Sequence, residues 1–80
     1  MYYVYIIQSY KNNHYYTGHT KNLKQRVIEH NSNNTKSLRN KGPFHLIYVE
    51  KADSLIKAIK REKQIKSYKG GKAFKKLMDK

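Results

Sequence analysis

Residues 2–18 read YYVYIIQSYKNNHYYTG, and the fold turns on how this stretch is read. Its first seven residues, YYVYIIQ, are almost all β-branched or aromatic, the side chains that fit a pleated, half-buried surface. Lys11-Asn12-Asn13 is a turn signal, and residues 15–20 resume strand character, so a β-hairpin is the simplest connection. Most of the eight tyrosines of the chain fall in this hairpin. The crowd of phenols ends at Gly18, where the missing Cβ lets a backbone or a substrate come close.

Beyond the hairpin the period changes. Thr20 or Asn22 can cap a helix over LKQRVIEH, whose Leu23, Val27 and His30 share one face and which stops near Asn31. Residues 31–43 form a polar, basic loop closed by Gly42-Pro43. FHLIYVE, residues 44–50, is a third strand of buried character. Asp53 or Ser54 caps a helix from about residue 54 to 67, with Leu55, Ile56, Ile59 and Ile65 as its apolar stripe. Gly70-Gly71 interrupts, and residues 72–78 make a last short helix with Ala73, Phe74 and Leu77 inward. The order β-β-α-β-α-α describes an α+β domain, a three-stranded sheet flanked by helices, with residues 1–80 as one domain.

Eighteen Lys and Arg against five acids give a formal charge of +13. Such a surface draws polyanions, nucleic acid first and acidic membrane second. The chain has no cysteine, which removes disulfides and thiolate metal sites and suits the cytoplasm. No apolar run approaches the roughly 20 residues of a membrane span, so no membrane partner is expected.

The helices place polar residues oddly. Glu62 lies three residues past Ile59 and seven past Leu55, inside the apolar stripe, where a carboxylate is costly unless it is paired or binds a metal. Glu29 faces away from Leu23 and Val27, Glu50 ends a strand, Asp53 is a cap and Asp79 is terminal. Glu62 is therefore the acid left for chemistry, with an ion pair to a nearby base as the plain alternative. Arg26 and His30, four apart on the first helix, can meet on one face. Arg26 suits bidentate binding of a phosphate, and His30 suits proton transfer near neutral pH. The plain alternatives are a solvated arginine stem over apolar surface and a half-buried helix-end histidine. The four histidines lack zinc-site spacing, no nucleophilic triad is placed, and no glycine-rich phosphate loop is present.

Tyr3-Val4-Tyr5, ten residues, and Tyr16-Thr17-Gly18 together resemble the two halves of the GIY-YIG nuclease motif. Arg26 ten residues after Tyr16, His30 a turn later and Glu62 in KREKQIK on a later helix complete the resemblance, which covers nearly the whole chain. It is nearest to the small stand-alone bacterial members. It implies a metal-dependent endonuclease that hydrolyses phosphodiester bonds of nucleic acid, DNA before RNA, with one divalent ion, Mg2+ or Mn2+. By motif position, Tyr5 and Tyr16 are the hairpin tyrosines, Arg26 contacts the scissile phosphate and Glu62 binds the metal. His30 stands where many members have tyrosine. Tyr3, Val4 and Thr17 replace motif glycine and isoleucines at packing positions. His19 stands where some members have lysine, and Lys36-Ser37-Leu38 where small members often have tyrosine.

On this reading the phenols orient and deprotonate water once a neighbouring cation, metal-bound water or histidine lowers their pKa. Tyr5, Tyr16 and His30 all stand as the base. Gly18, His19, Lys36, Arg39 and Lys41 are the further nucleic-acid contacts, and Tyr2, Tyr10 and Tyr15 are packing or surface. The chain acts as a monomer or weak homodimer. The alternatives are a non-catalytic DNA- or RNA-binding module on the same fold, gripping with Lys36, Arg39, Lys41 and the lysine-rich tail, and a subunit that docks on an acidic partner.

Overall fold

The computed structural model describes residues 1–31, 43–69 and 71–78. Strand β1 (Tyr2–Ser9) lies between β2 (Tyr15–Thr20) and β3 (Phe44–Ala52), antiparallel to both, in a sheet of order β2-β1-β3. Helix α1 (Leu23–Asn31) follows β2, and α2 (Leu55–Ser67) and α3 (Lys72–Met78) follow β3. This is the α+β order expected from the sequence. Lys36, Arg39 and Lys41 fall outside the described residues.

The central place of β1 follows from its composition. Val4, Tyr5, Ile6 and Ile7 are buried in succession, which only a strand covered on both faces can accommodate. Val4 and Ile6 pack with Ala58 and Ile65 of α2 and with Phe74 and Leu77 of α3. Tyr5 and Ile7 pack on the other face with Phe44, Tyr16 and Leu23. The alternation of a single strand thus divides the core into two clusters.

The hairpin turn is held by side-chain bonds. Ser9 Oγ accepts from the backbone N–H of Lys11 and of Asn12 (3.0 and 3.2 Å), and Asn12 Oδ1 accepts from His14 N–H (2.9 Å). Asn13 sits at φ 62°, a left-handed conformation that asparagine tolerates better than most residues. Ile47 is the extra residue in the β1–β3 ladder, since Ile6 pairs with Tyr48 and Ile7 with Leu46. The bulge lets both Ile47 and Tyr48 pack on the first cluster.

Several expectations are corrected. β3 is an edge strand, not a buried one: of its residues only Phe44 is buried, and Leu46 and Val49 are exposed. The α2 stripe runs through Ala58 and Ile65, while Leu55 and Ile56 are exposed (43% and 66%). Glu62 still falls in that stripe, four residues past Ala58 and three before Ile65. Ser54 caps α2 by accepting from Lys57 N–H, whereas Asp53 makes an exposed ion pair with Lys57. In α3, Phe74 and Leu77 are buried and Ala73 is exposed.

Ile6, fully buried at the centre of the sheet, sets the largest packing cost. Ile6→Ala is expected to lower unfolding free energy by about 2–5 kcal/mol in urea titration, with Val49→Ala, on the exposed edge, within about 1 kcal/mol of wild type.

Candidate active site

The site begins with the entry into α1. Thr20 Oγ1 accepts from Asn22 N–H (3.1 Å), and Asn22 Oδ1 accepts from Gln25 N–H (3.1 Å), so both candidate caps act, one in the turn and one on the helix. At the other end, Asn31 brackets the Phe44 backbone, its Oδ1 accepting from the N–H at 2.7 Å and its Nδ2 donating to the carbonyl at 3.3 Å. Fixed at both ends, α1 delivers Arg26 and His30 to the sheet face that carries Tyr5.

There the Tyr5 hydroxyl and His30 Nε2 are 2.9 Å apart, within the core. Burial pushes the Tyr5 phenol up to about 12. The nearby Arg26 charge pulls against that rise, and Glu62 and Glu29 add to it. Burial, followed by Arg26, holds His30 below the ordinary imidazole value, with Glu29 opposing. Near pH 7 the phenol is therefore protonated and the imidazole neutral, and the tautomer of His30 decides whether the hydroxyl or Nε2–H is the donor. This corrects the expectation that neighbours would lower the phenol's pKa: desolvation outweighs the arginine.

Gly18 faces Tyr5 across the β1–β2 ladder. A Cβ on Gly18 would lie 2.6 Å from the Tyr5 hydroxyl and 2.8 Å from its ring carbon Cζ. The group that needs the gap is the phenol of Tyr5, rather than a backbone or a substrate. Tyr16 does not join this hydrogen bond. Its ring packs edge-on against Phe44 (centroids 5.5 Å apart), and Phe44 in turn touches the His30 ring.

Glu62 occupies the opposite face. His19, the next residue after Gly18, points to α2, and its Nδ1 lies 2.5 Å from Glu62 Oε1. Lys66, one turn along α2, donates to Oε2 at 2.6 Å. Burial alone would raise the carboxyl's pKa, but the bonds from Lys66 and His19 outweigh it and lower the value, so the group is ionised near neutral pH. The paired alternative for Glu62 is thus present in the resting protein. The adjacent Arg61 donates through Nε to both oxygens of Glu50 (3.1 and 3.0 Å), and Tyr48 donates to the same carboxylate. That fork ties α2 to β3 beside Glu62.

The candidate residues therefore form two couples, Tyr5–His30, packed over Gly18 of β2, and His19–Glu62, which starts at the next residue of β2. Two observations link them. The charges of Arg26 and Glu62 both act on the Tyr5 phenol. Arg26 and His19 also line one cavity of about 370 Å³, where β1 begins and β2 ends. Tyr2, which packs on the core as the sequence suggests, and Glu29 also line it. Glu29 also pairs with Arg26 at 3.6 Å. The role of His19 was legible in principle, because alternation along β2 puts residues 18 and 19 on opposite faces. Lys66, at i+4 from Glu62, was legible from helical spacing.

Among the described residues, no group of three or more His, Cys, Asp or Glu side chains could hold a metal ion, and no helix is long and apolar enough to cross a membrane. Residues 1–75 match the family model of the GIY-YIG catalytic domain. A UPF0213 protein of Staphylococcus saprophyticus is 35% identical over 74 residues, covering 91% of this chain and 89% of the relative. One from Halobacterium salinarum is 39% identical over 67 residues, 82% of this chain and 86% of the relative. The solution NMR structure of the UPF0213 protein from Bacillus halodurans superposes with a TM-score of 0.50 at 31% identity, covering 91% of this chain and 90% of that one.

His30's folded pKa lies below its unfolded one, so the unfolded chain takes up the proton first. The His30 contribution to stability is full above about pH 6.5 and is lost as pH falls toward the folded value. Urea titrations across pH 5–8 should show this slope, and His30→Gln should flatten it. Gly18→Ala should displace the Tyr5 ring and lessen the burial of His30, and NMR titration should then show the imidazole pKa rising toward its ordinary value.

Proposed function

The chain belongs to the GIY-YIG nuclease family, and from that premise we propose that it is an endonuclease hydrolysing phosphodiester bonds of nucleic acid, DNA in preference to RNA, with one divalent ion, Mg2+ or Mn2+. The observation that carries this reading is the cavity wall shared by Arg26 and His19. It joins the arginine whose charge acts on the Tyr5 phenol to the imidazole that holds Glu62, while Tyr5, His30 and Glu62 themselves lie outside its lining.

The residues have a division of labour. Arg26 takes the scissile phosphate through its guanidinium fork and stabilises the charge that grows on its oxygens. The attacking water gives a proton to the Tyr5 oxygen while the phenolic proton passes to His30 Nε2. A bond forms from the water oxygen to phosphorus, and the bond from phosphorus to the leaving sugar oxygen breaks. Relay suits the pKa values, since neither partner is charged at rest. Of the three candidate bases, His30 is then the final acceptor and Tyr5 the conduit. Tyr16 steadies the ring stack behind them.

Glu62 fits a metal-binding role as an ionised, half-buried carboxylate with an imidazole beside it. A lone carboxylate matches the habit of Mg2+, which binds through one or two carboxylates, waters and substrate phosphates. When bound, a divalent ion supplies Lewis-acid stabilisation of the leaving oxygen. Lys66 would yield its place on Oε2 to admit it.

Cleavage of plasmid and branched or single-stranded oligonucleotides in Mg2+ or Mn2+ tests the proposal. Glu62→Ala and Arg26→Ala should each lose about a hundredfold or more in kcat/KM, and Glu62→Ala should still bind DNA. Tyr5→Phe should lose a comparable factor, since a proton relay contributes about 10²–10⁴. Full cleavage by Glu62→Ala would overturn the reading. The ion pair between Lys66 and Glu62 favours the second reading, a binding module on the same fold. Salt-dependent binding with no nicking under either metal would select it.

A further inference from the structure

The cavity asks for more than a phosphate. Its volume, about 370 Å³, lies within the range of about 300–1,000 Å³ of clefts that hold a small molecule. Its wall is chemically divided. Tyr2, partly buried and packed on the core, and Leu55 supply flat or apolar surface. Asn22 and Gln25 supply amides, Arg26 and Lys21 supply positive charge, and Glu29 supplies a negative charge beside Arg26.

Each feature sorts the parts of a nucleotide. Arg26 and Lys21 suit the phosphates of the backbone, and the Glu29 carboxylate beside Arg26 disfavours crowding further phosphate there. The uncharged part of the ligand is left for the rest of the cavity. Tyr2 and Leu55 suit the face of a base, and the amides suit the donors and acceptors on its edge. Leu55 is exposed and available to a ligand. It is the first residue of α2, lies outside the stripe that α2 buries, and fronts this cavity.

Resting on the nuclease reading of Arg26, we propose that this cavity binds one unstacked nucleotide adjoining the phosphate that is cut. The substrate class is then nucleic acid that is single-stranded or locally unpaired at the cleavage site. A base inside a duplex offers its edges while its faces are stacked. Entry of its face against Tyr2 and Leu55 requires leaving the stack, which costs least when the base is already unpaired.

Charge alone predicts the reverse order, because a duplex carries phosphates more densely than a single strand. The test therefore compares a fluorescein-labelled 12-nucleotide single strand, the same strand in a duplex and an abasic version of the single strand. Binding is read by fluorescence anisotropy in EDTA at fixed salt. The single strand should bind roughly tenfold more tightly than the duplex, and abasic substitution should lose most of that gain. Tyr2→Ala should weaken single-strand binding by roughly tenfold and duplex binding by less than about twofold, with Tyr2→Phe restoring it. Gln25→Ala, on the exposed side of α1, gives a second variant that does not disturb the core and should weaken single-strand binding selectively.

Equal affinity for single strand and duplex would overturn the proposal, as would single-strand binding unmoved by Tyr2→Ala and Gln25→Ala. Because the measurement needs neither metal nor cleavage, its result is separate from that of the Glu62→Ala assay.

Discussion

Strand β1 must be buried on both of its faces, and the arrangement of everything else answers that requirement. Val4 and Ile6 need cover on one side, Tyr5 and Ile7 on the other. An 80-residue chain cannot supply two thick layers, so α1 covers one face and α2 with α3 the other. The flanking strands pair with β1 and leave the sheet with two edges. Since β2 is one of those edges, its residues remain open to ligands while their neighbours in β1 stay rigid.

That asymmetry explains how polar chemistry survives in so small a core. Tyr5 is a core residue by packing and still carries a hydroxyl, so the hydroxyl must find a partner. His30 provides it, and the absence of a side chain at Gly18 gives the phenol its place. On the other face, Glu62 is tolerated in the α2 stripe because two cationic or hydrogen-bonding groups meet it. Tyr5 and Glu62 are thus satisfied from different helices and strands. Neither face needs a continuous polar channel through the core.

Much of this was legible in the sequence because the signals were local. The hairpin followed from β-branched and aromatic runs around a turn, and α1 from its cap and period. The odd placement of Glu62 followed from helical geometry, even though two of the four residues named as its stripe are exposed. What failed depended on layer geometry. Leu46 and Val49 read as buried because strand propensity does not reveal which strand is at the edge. Leu55 and Ile56 read as inward because the phase of a helix is set by what it packs on, here Ala58 and Ile65. The raised pKa of Tyr5 is not legible, because spacing shows neighbours but not desolvation. The place of Glu29 and Tyr2 in one cavity wall has no sequence signal, because a cavity at the junction of β1, β2, α1 and α2 has no sequence period.

The fork between Arg61 and Glu50 has a wider consequence. It anchors α2 to the outermost strand at the residue next to Glu62, and α1 is tied down through Asn31 and Phe44. Phe44 and Glu50 belong to the same strand, β3, so the two helices share one mooring and are held six residues apart along it. Drift of that strand would therefore reach the Tyr5–His30 couple and the neighbourhood of Glu62 together, and a substitution that loosened β3 would disturb both faces of the sheet at once.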